Sequence, residues 1–295
     1  MTTRRQFLTA SLVAGAALSR SRAIEPIRRP NGSLIKLSLA GYSFNKYMSL
    51  KGKAKPAMSL DDFADFAVGL GLGAIEPTAY YFPETTPQFL TRFRGRCTRL
   101  GLDISGTAIG NDFCKLDPAE LKKQIASTKE WIENAALIGA KTIRIFAGNL
   151  AKGDTDEAAR GRCVAAIQEA CDHAAKYGIY LALENHGGIV ATAEQMLAVV
   201  KAVQHDWFGV NFDTGNFRTE DPYADLAKIA PYAVVVQIKT EIHPQGKDKQ
   251  PADLKRLLDI LRAAHFRGYV ALEYEAAEDP RTAVPKAIAE LQKLI

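Results

Sequence analysis

Leu181-Ala182-Leu183-Glu184-Asn185-His186-Gly187-Gly188 is a short apolar run that stops on a carboxylate, an amide, an imidazole and two glycines. An apolar strand does not end on ionisable groups unless they face a cavity, because burying an unpaired charge is costly. The pattern recurs downstream. Phe208-Gly209-Val210-Asn211-Phe212 ends on Asp213, Ala233-Val234-Val235-Val236 runs into Gln237 and Lys239, and Tyr269-Val270-Ala271-Leu272 ends on Glu273. Four strands with polar groups at their C-terminal ends describe the mouth of a parallel barrel.

Outward from these runs the chain alternates strand and helix from Ile35 onward. The expected strands are Ile35–Ser43, Gly73–Ala79, Asp103–Ala108, Thr142–Ala147, Tyr180–Glu184, Gly209–Asp213, Ala233–Lys239 and Tyr269–Tyr274. Between them Ser59-Leu60-Asp61-Asp62 and Thr192-Ala193-Glu194-Gln195 read as capping boxes. Asp117-Pro118 places proline at a first helical position. Gly71, Gly101, Gly139, Gly178 and Gly268 stand just before strands, where glycines that end helices belong. Most strands are apolar throughout rather than alternating, as in a sheet covered on both faces. The fold class is therefore α/β, a single (β/α)8 barrel over residues 35–295. A doubly wound open sheet needs a glycine-rich phosphate loop after the first strand, and Gly41-Tyr42-Ser43-Phe44 is not one. Two loops, Lys46–Met58 and His243–Gln250, are expected to sit over the mouth.

The N-terminus carries Arg4-Arg5 before an apolar run from Leu8 to Leu18, then small residues at Ser21-Arg22-Ala23. That order reads as a twin-arginine export signal over residues 1–23, with 24–34 as a linker. The expected partner is the twin-arginine export machinery and the expected location the periplasm. The leader holds Arg4, Arg5, Arg20 and Arg22 and no acid, so the formal charge falls from +5 to +1 without it. A nearly neutral chain gives no electrostatic footing for nucleic acid, and the apolar run is too short for a stable membrane span. Cys97, Cys114, Cys163 and Cys171 show no metal-finger spacing, and no structural disulfide is expected. A homo-oligomer is compatible with the sequence but not read from it.

Glu184, Asp213 and Glu273 end strands on one barrel face, and converging carboxylates repel unless they are protonated or bridged by a cation. One divalent ion held by Glu184, Asp213, Gln237 and Glu273 resolves that repulsion. The set is all oxygen, which favours Mn2+ or Mg2+. With a strand period of two, His186 shares a face with Glu184, and Lys239 and Glu241 with Gln237. These three, with Asn216, Glu76 and Arg144, are the candidate substrate-binding residues; Arg144 equally suits an ion pair inside the barrel.

On these strand ends the chain resembles the xylose-isomerase-like barrels, in their sugar isomerase/epimerase branch. The resemblance covers Ile35 to the C-terminus. It implies one divalent metal on Glu184, Asp213 and Glu273 with a histidine from strand seven, where this chain reads Gln237-Ile238-Lys239. The histidine implied after strand six is Asn216, in Asp213-Thr214-Gly215-Asn216. It also implies that Glu184 and Glu273 are the catalytic acid and base.

A cation on a ketone oxygen acidifies the neighbouring C–H by stabilising an enediolate. Two carboxylates flanking that carbon then isomerise or epimerise the sugar. Export points to a non-phosphorylated sugar as the small-molecule partner. The alternatives are elimination from a 3-keto sugar by a keto-glycoside lyase or hydratase, and a non-catalytic sugar-binding barrel. A zinc nuclease is disfavoured: only His186 and His243 of the five histidines fall near the mouth.

Overall fold

The structure, a computed structural model, describes residues 24–52 and 55–295, so the expected leader lies outside the described residues. The apolar runs fold as strands β1 (Leu34–Ala40), β2 (Ala74–Glu76), β3 (Asp103–Ile104), β4 (Thr107–Ala108), β5 (Thr142–Ile145), β6 (Tyr180–Glu184), β7 (Phe208–Asp213) and β8 (Ala233–Ile238). After a small antiparallel ribbon, β9 (Glu241–Ile242) with β10 (Gln250–Pro251), the last strand is β11 (Arg267–Leu272). Apart from the ribbon, all of them join one nine-stranded parallel sheet, in the order β3-β2-β1-β11-β8-β7-β6-β5-β4.

The sheet's two ends, β3 and β4, are consecutive in the chain and form one barrel position broken at Ser105-Gly106. The first piece pairs with β2 and the second with β5. A parallel bridge from Thr78 to Ala108 spans the seam. The break has a steric reason: a Cβ on Gly106 would lie 2.5 Å from Thr142 Oγ1, so only glycine crosses there. The expected barrel of eight positions is thus present, with its third strand split and several strands shorter than expected. The first gives way to a 3-10 turn at Gly41–Phe44.

The helices are α1 (Asn45–Met48), α2 (Leu60–Gly69), α3 (Pro87–Arg99), α4 (Pro118–Ile138), α5 (Asp156–Tyr177), α6 (Ala193–Ala202), α7 (Pro222–Ile229), α8 (Leu254–Ala263) and α9 (Pro280–Leu294). Ser59 and Thr192 form the expected capping boxes, and Asp117 caps α4 ahead of Pro118. Gly139 and Gly178 end α4 and α5 in the left-handed conformation. Gly268 does not end a helix: it lies within β11, and the left-handed turn after α8 falls on His265, at φ 53°.

The loop after β1 starts as α1 and is latched to the start of α9, where the Tyr47 hydroxyl donates to Asp279 and Lys46 Nζ lies 3.0 Å from the same carboxylate. The loop after β8 is the β9–β10 ribbon, closed by a bond from Ala252 N to Thr240 O of 2.9 Å. All four cysteines are free and buried. Among the described residues no helix is long and apolar enough to cross a membrane.

Between the sheet and the helices lies a continuous apolar layer. At one point Phe82 takes Phe93 and Trp131 edge-on, at centroid distances of 5.8 and 5.2 Å. Phe93 is fully buried in that layer, away from the mouth. Phe93→Ala is expected to cost about 3–5 kcal/mol, because the cavity left cannot collapse against the rigid sheet. Urea denaturation with far-UV circular dichroism checks it. A loss under about 1 kcal/mol would mean the layer repacks freely.

Candidate functional site

Parallel strands all deliver their C-terminal residues to one end of the barrel, and here that end is charged. β6 brings Glu184, β7 Asp213, β8 Gln237 followed by Lys239, and β11 is followed by Glu273 and Glu275. Glu184, Asp213, Gln237 and Glu273 are almost completely buried, as are Glu76 and Arg144.

The centre of the ring is the Lys239 ammonium. Its Nζ lies 3.2 Å from Asp213 Oδ2, 3.2 Å from Glu273 Oε2, 2.5 Å from Glu275 Oε2 and 3.3 Å from Asn216 Oδ1. Beside it, Arg144 Nε is 2.7 Å from Glu184 Oε2, while Asn216 Nδ2 donates to Glu184 Oε1 at 2.6 Å. Arg144 is therefore an ion-pair partner inside the barrel. Its guanidinium stacks 3.9 Å from the Phe146 ring centre, and the His186 ring lies 4.4 Å from the same ring. On the far side, Gln237 Nε2 donates to Glu76 Oε1 at 2.6 Å, and Gln237 Oε1 accepts from Asn211 Nδ2 at 2.8 Å. Asn185 ties β6 to β7, donating to Asp213 O and accepting from Asp213 N, both at 3.0 Å.

Burial dominates the electrostatics. Glu76, Glu184, Asp213 and Glu273 are each pushed up to about 7, chiefly because the barrel removes water from their charged forms. Arg144 opposes this at Glu184, and Lys239 at Asp213 and Glu273. Lys239 loses hydration too, but the surrounding carboxylates outweigh that and hold it well above its ordinary range. One cation shared among several buried acids stays protonated without offsetting the burial of each. His186 is lowered, first by burial and then by Arg144 and Lys239, so its imidazole is neutral at pH 7.

Above the ring lies a cavity of about 270 Å³, whose walls include His186, Asn216, Arg218, Lys239, Glu241 and Glu275. A second cavity of about 410 Å³ adjoins it and shares His186, Asn216 and Arg218. Several buried polar atoms around the mouth make no hydrogen bond with the described residues, among them Asn211 Oδ1 and Asp213 Oδ2 in the ring, His243 Nδ1 beside the first cavity and Thr219 Oγ1 beside the second.

Of the expected substrate-binding residues, His186, Lys239, Asn216 and Glu241 reach the first cavity, with Glu241 also 3.6 Å from Lys249. Glu76 and Arg144 do not; they lie beneath it. Glu184 and Glu273 also lie under Lys239 rather than on the cavity wall. Glu275 and Arg218 were not among the expected site residues. Period two puts Glu275 on the face of Glu273, so its signal was present; Arg218 had none, because loop geometry places it.

The expected divalent ion does not fit this arrangement. The space among the carboxylates is taken by Lys239 Nζ, both ends of the Gln237 amide are engaged, and both Glu184 oxygens are paired. Gln237 Oε1 is thus held toward Asn211 and its Nε2 toward Glu76. Among the described residues no three His, Cys, Asp or Glu side chains converge as ligands of one metal ion.

The raised carboxyls predict a pH dependence of stability. Between about pH 4.5 and 7 the folded chain keeps protons on Glu76, Glu184, Asp213 and Glu273 that the unfolded chain has released. Stability contributed by these groups therefore falls as pH rises through that window. Glu76→Gln keeps the oxygen that accepts from Gln237 and removes one titrating group. Its stability-against-pH slope should be shallower by up to one proton, about 1.4 kcal/mol per pH unit. Denaturant midpoints at pH 5, 6 and 7 measure it, and an unchanged slope would mean Glu76 is ionised throughout.

The sequence model of the family described as xylose isomerase-like TIM barrel matches residues 64–294. No curated protein matches the chain. Among solved structures, a D-psicose 3-epimerase crystallised in the presence of D-fructose superposes with a TM-score of 0.73 at 17% identity, covering 88% of this chain and 99% of its own. A xylose isomerase-like barrel from Mycobacterium smegmatis in complex with magnesium gives 0.64 at 19% identity, covering 86% and 97%. A probable 3-DHS dehydratase of petrobactin synthesis from Bacillus anthracis gives 0.64 at 17% identity, covering 87% and 98%. At these identities the likeness concerns the fold, and the matched residues carry the conclusion: the chain belongs to the xylose isomerase-like TIM barrel family.

Proposed function

We propose that the protein is a sugar isomerase or epimerase that moves a proton at the carbon beside a carbonyl of a non-phosphorylated sugar. The observation that carries this reading is the cavity of about 270 Å³ with an ammonium in its floor and a carboxylate and an imidazole beside it. Lys239 supplies positive charge where a carbonyl oxygen becomes an enolate oxygen. Held protonated, it acts as a hydrogen-bond donor and not as an amine nucleophile. Glu275 and the neutral His186 face the cavity and are the groups that take and return the proton. Glu184 and Glu273, the pair implied by the resemblance, lie behind Lys239 and hold it and Arg144 in place. Asn216 and Arg218 orient hydroxyl groups. The epimerase among the structural neighbours supports the reaction class by analogy of fold.

The metal expected from the sequence, Mn2+ or Mg2+, supplies Lewis-acid chemistry when bound in such barrels, and a structural neighbour holds magnesium. Here the steps above are assigned to the chain's own residues, since the carboxylates are already bridged by Lys239.

A second reading, elimination from a 3-keto-glycoside, draws support from the adjoining cavity of about 410 Å³, which would accept a leaving group past His186 and Asn216. A dehydratase among the structural neighbours is consistent with it. Arg4-Arg5 and the apolar run after it make the periplasm the proposed location, reached through the twin-arginine machinery.

Incubation with free ketoses, aldoses and 3-keto-glycosides in D2O, followed by NMR, tests the reaction. Deuterium at one carbon of a rearranged sugar is the expected result; deuterium with release of an aglycone selects elimination, and no exchange with any substrate would leave a binding protein. Glu275→Gln is expected to lower the exchange rate by ~10²–10⁴-fold, the usual contribution of a general base. An unchanged rate removes Glu275 from the mechanism.

Location is tested separately by fractionating cells that express the full chain. Arg4→Lys combined with Arg5→Lys should move the protein from the periplasmic to the cytoplasmic fraction. An unchanged distribution would rule out the twin-arginine route.

A further inference from the structure

We propose that Lys239 is the resident cation of this carboxylate ring, standing where a divalent metal ion would stand, so that the site assembles without a metal. Nζ lies 2.5–3.2 Å from Asp213, at the end of β7, and from Glu273 and Glu275, which follow β11. A divalent ion bound to the same oxygens would need contacts near 2.0–2.6 Å and would meet an ammonium in its own position. The two cations exclude each other.

The fold is built around this side chain. The Lys239 backbone N–H donates to Thr214 Oγ1 at 2.8 Å, fixing where the residue starts. Its stem then passes over Gly215, where any Cβ would lie 2.7 Å from Lys239 Cδ. Glycine at that point is the clearance through which the lysine reaches the ring. The positions where the resemblance implies histidines carry amides, and both amides are engaged within the ring. Gln237 is spent on Glu76 and Asn211, and Asn216 on Glu184 and Lys239.

Three carboxylates and the Asn216 amide oxygen crowd the three N–H donors of the ammonium. The Glu275 side chain is 36% exposed against 6% or less for Asp213 and Glu273, so Glu275 is the contact that yields. A ligand oxygen arriving at Lys239 therefore displaces Glu275, and the freed carboxylate is left beside the ligand. The proposal shares residues with the isomerase reading, but it is tested by metal content and thermal stability rather than turnover, so the two fail separately.

The experiment compares the wild-type chain with Lys239→Met. Each is treated with EDTA, incubated with MnCl2, desalted and assayed by elemental analysis, and thermal unfolding is recorded with and without MnCl2. The wild type is expected to retain no manganese and to show no shift. Lys239→Met leaves the carboxylates without their cation. It should unfold at lower temperature and regain roughly 5–10 °C with manganese at about a hundredfold excess over its dissociation constant. Stoichiometric manganese on the wild type overturns the proposal. So does a folded Lys239→Met, verified by circular dichroism, that ignores manganese. Should that variant fail to fold, the wild-type metal content decides alone.

Discussion

The ion pairs around Lys239 are the constraint on which the mouth of this barrel depends. Asp213, Glu273 and Glu184 are carried into a nearly dry layer by strands that must be buried to form the barrel. Removing water from several carboxylates at once is unfavourable, and only close cations and hydrogen bonds make it tolerable. Lys239 and Arg144 supply the charge, and Asn216 joins the two halves by donating to Glu184 while accepting from Lys239. Burial outweighs the two cations, which is why four carboxyls are pushed up to about 7. Breaking such a buried pair by removing one partner typically costs about 3–5 kcal/mol. The site is thus held together by the same charges that give it chemistry.

The barrel serves this arrangement in specific ways. Asn185 locks the ends of β6 and β7 in register by bonding both the N–H and the carbonyl of Asp213. Ser43 does the same between the first strand's turn and β11, donating to Leu272 O and accepting from Tyr274 N. The β9–β10 ribbon brings Glu241 and His243 over the cavity wall. The raised carboxyls do not line the cavity; Glu275 and His186 do.

Much of this was legible in the chain. The strand runs ending on Glu184, Asp213 and Glu273 announce a parallel barrel with its functional end at the strand C-termini, because an apolar strand stops on a charge only where a cavity receives it. The capping boxes at Ser59 and Thr192 and the glycines 139 and 178 placed helix ends, since local hydrogen bonds and left-handed backbone decide them. The repulsion among the acids was legible too, with its two remedies, protonation or a cation. Gly268 misled because a glycine before a strand resembles a helix stop, whereas here it makes room for Phe266 within β11.

By itself the sequence determined which residues reach the mouth: period two and strand order bring Glu184, Asp213, Gln237, Lys239, Glu273 and Glu275 to one end of one barrel. It could not determine which cation bridges them. That depends on whether a flexible four-carbon stem bends into the ring or out toward solvent, and a rotamer is decided by neighbours distant in the chain. Gly215 opens the path, Asp213, Glu273 and Glu275 attract the ammonium, and Asn211 and Glu76 draw Gln237 aside. Only the closed barrel brings those neighbours within a few ångströms of one another.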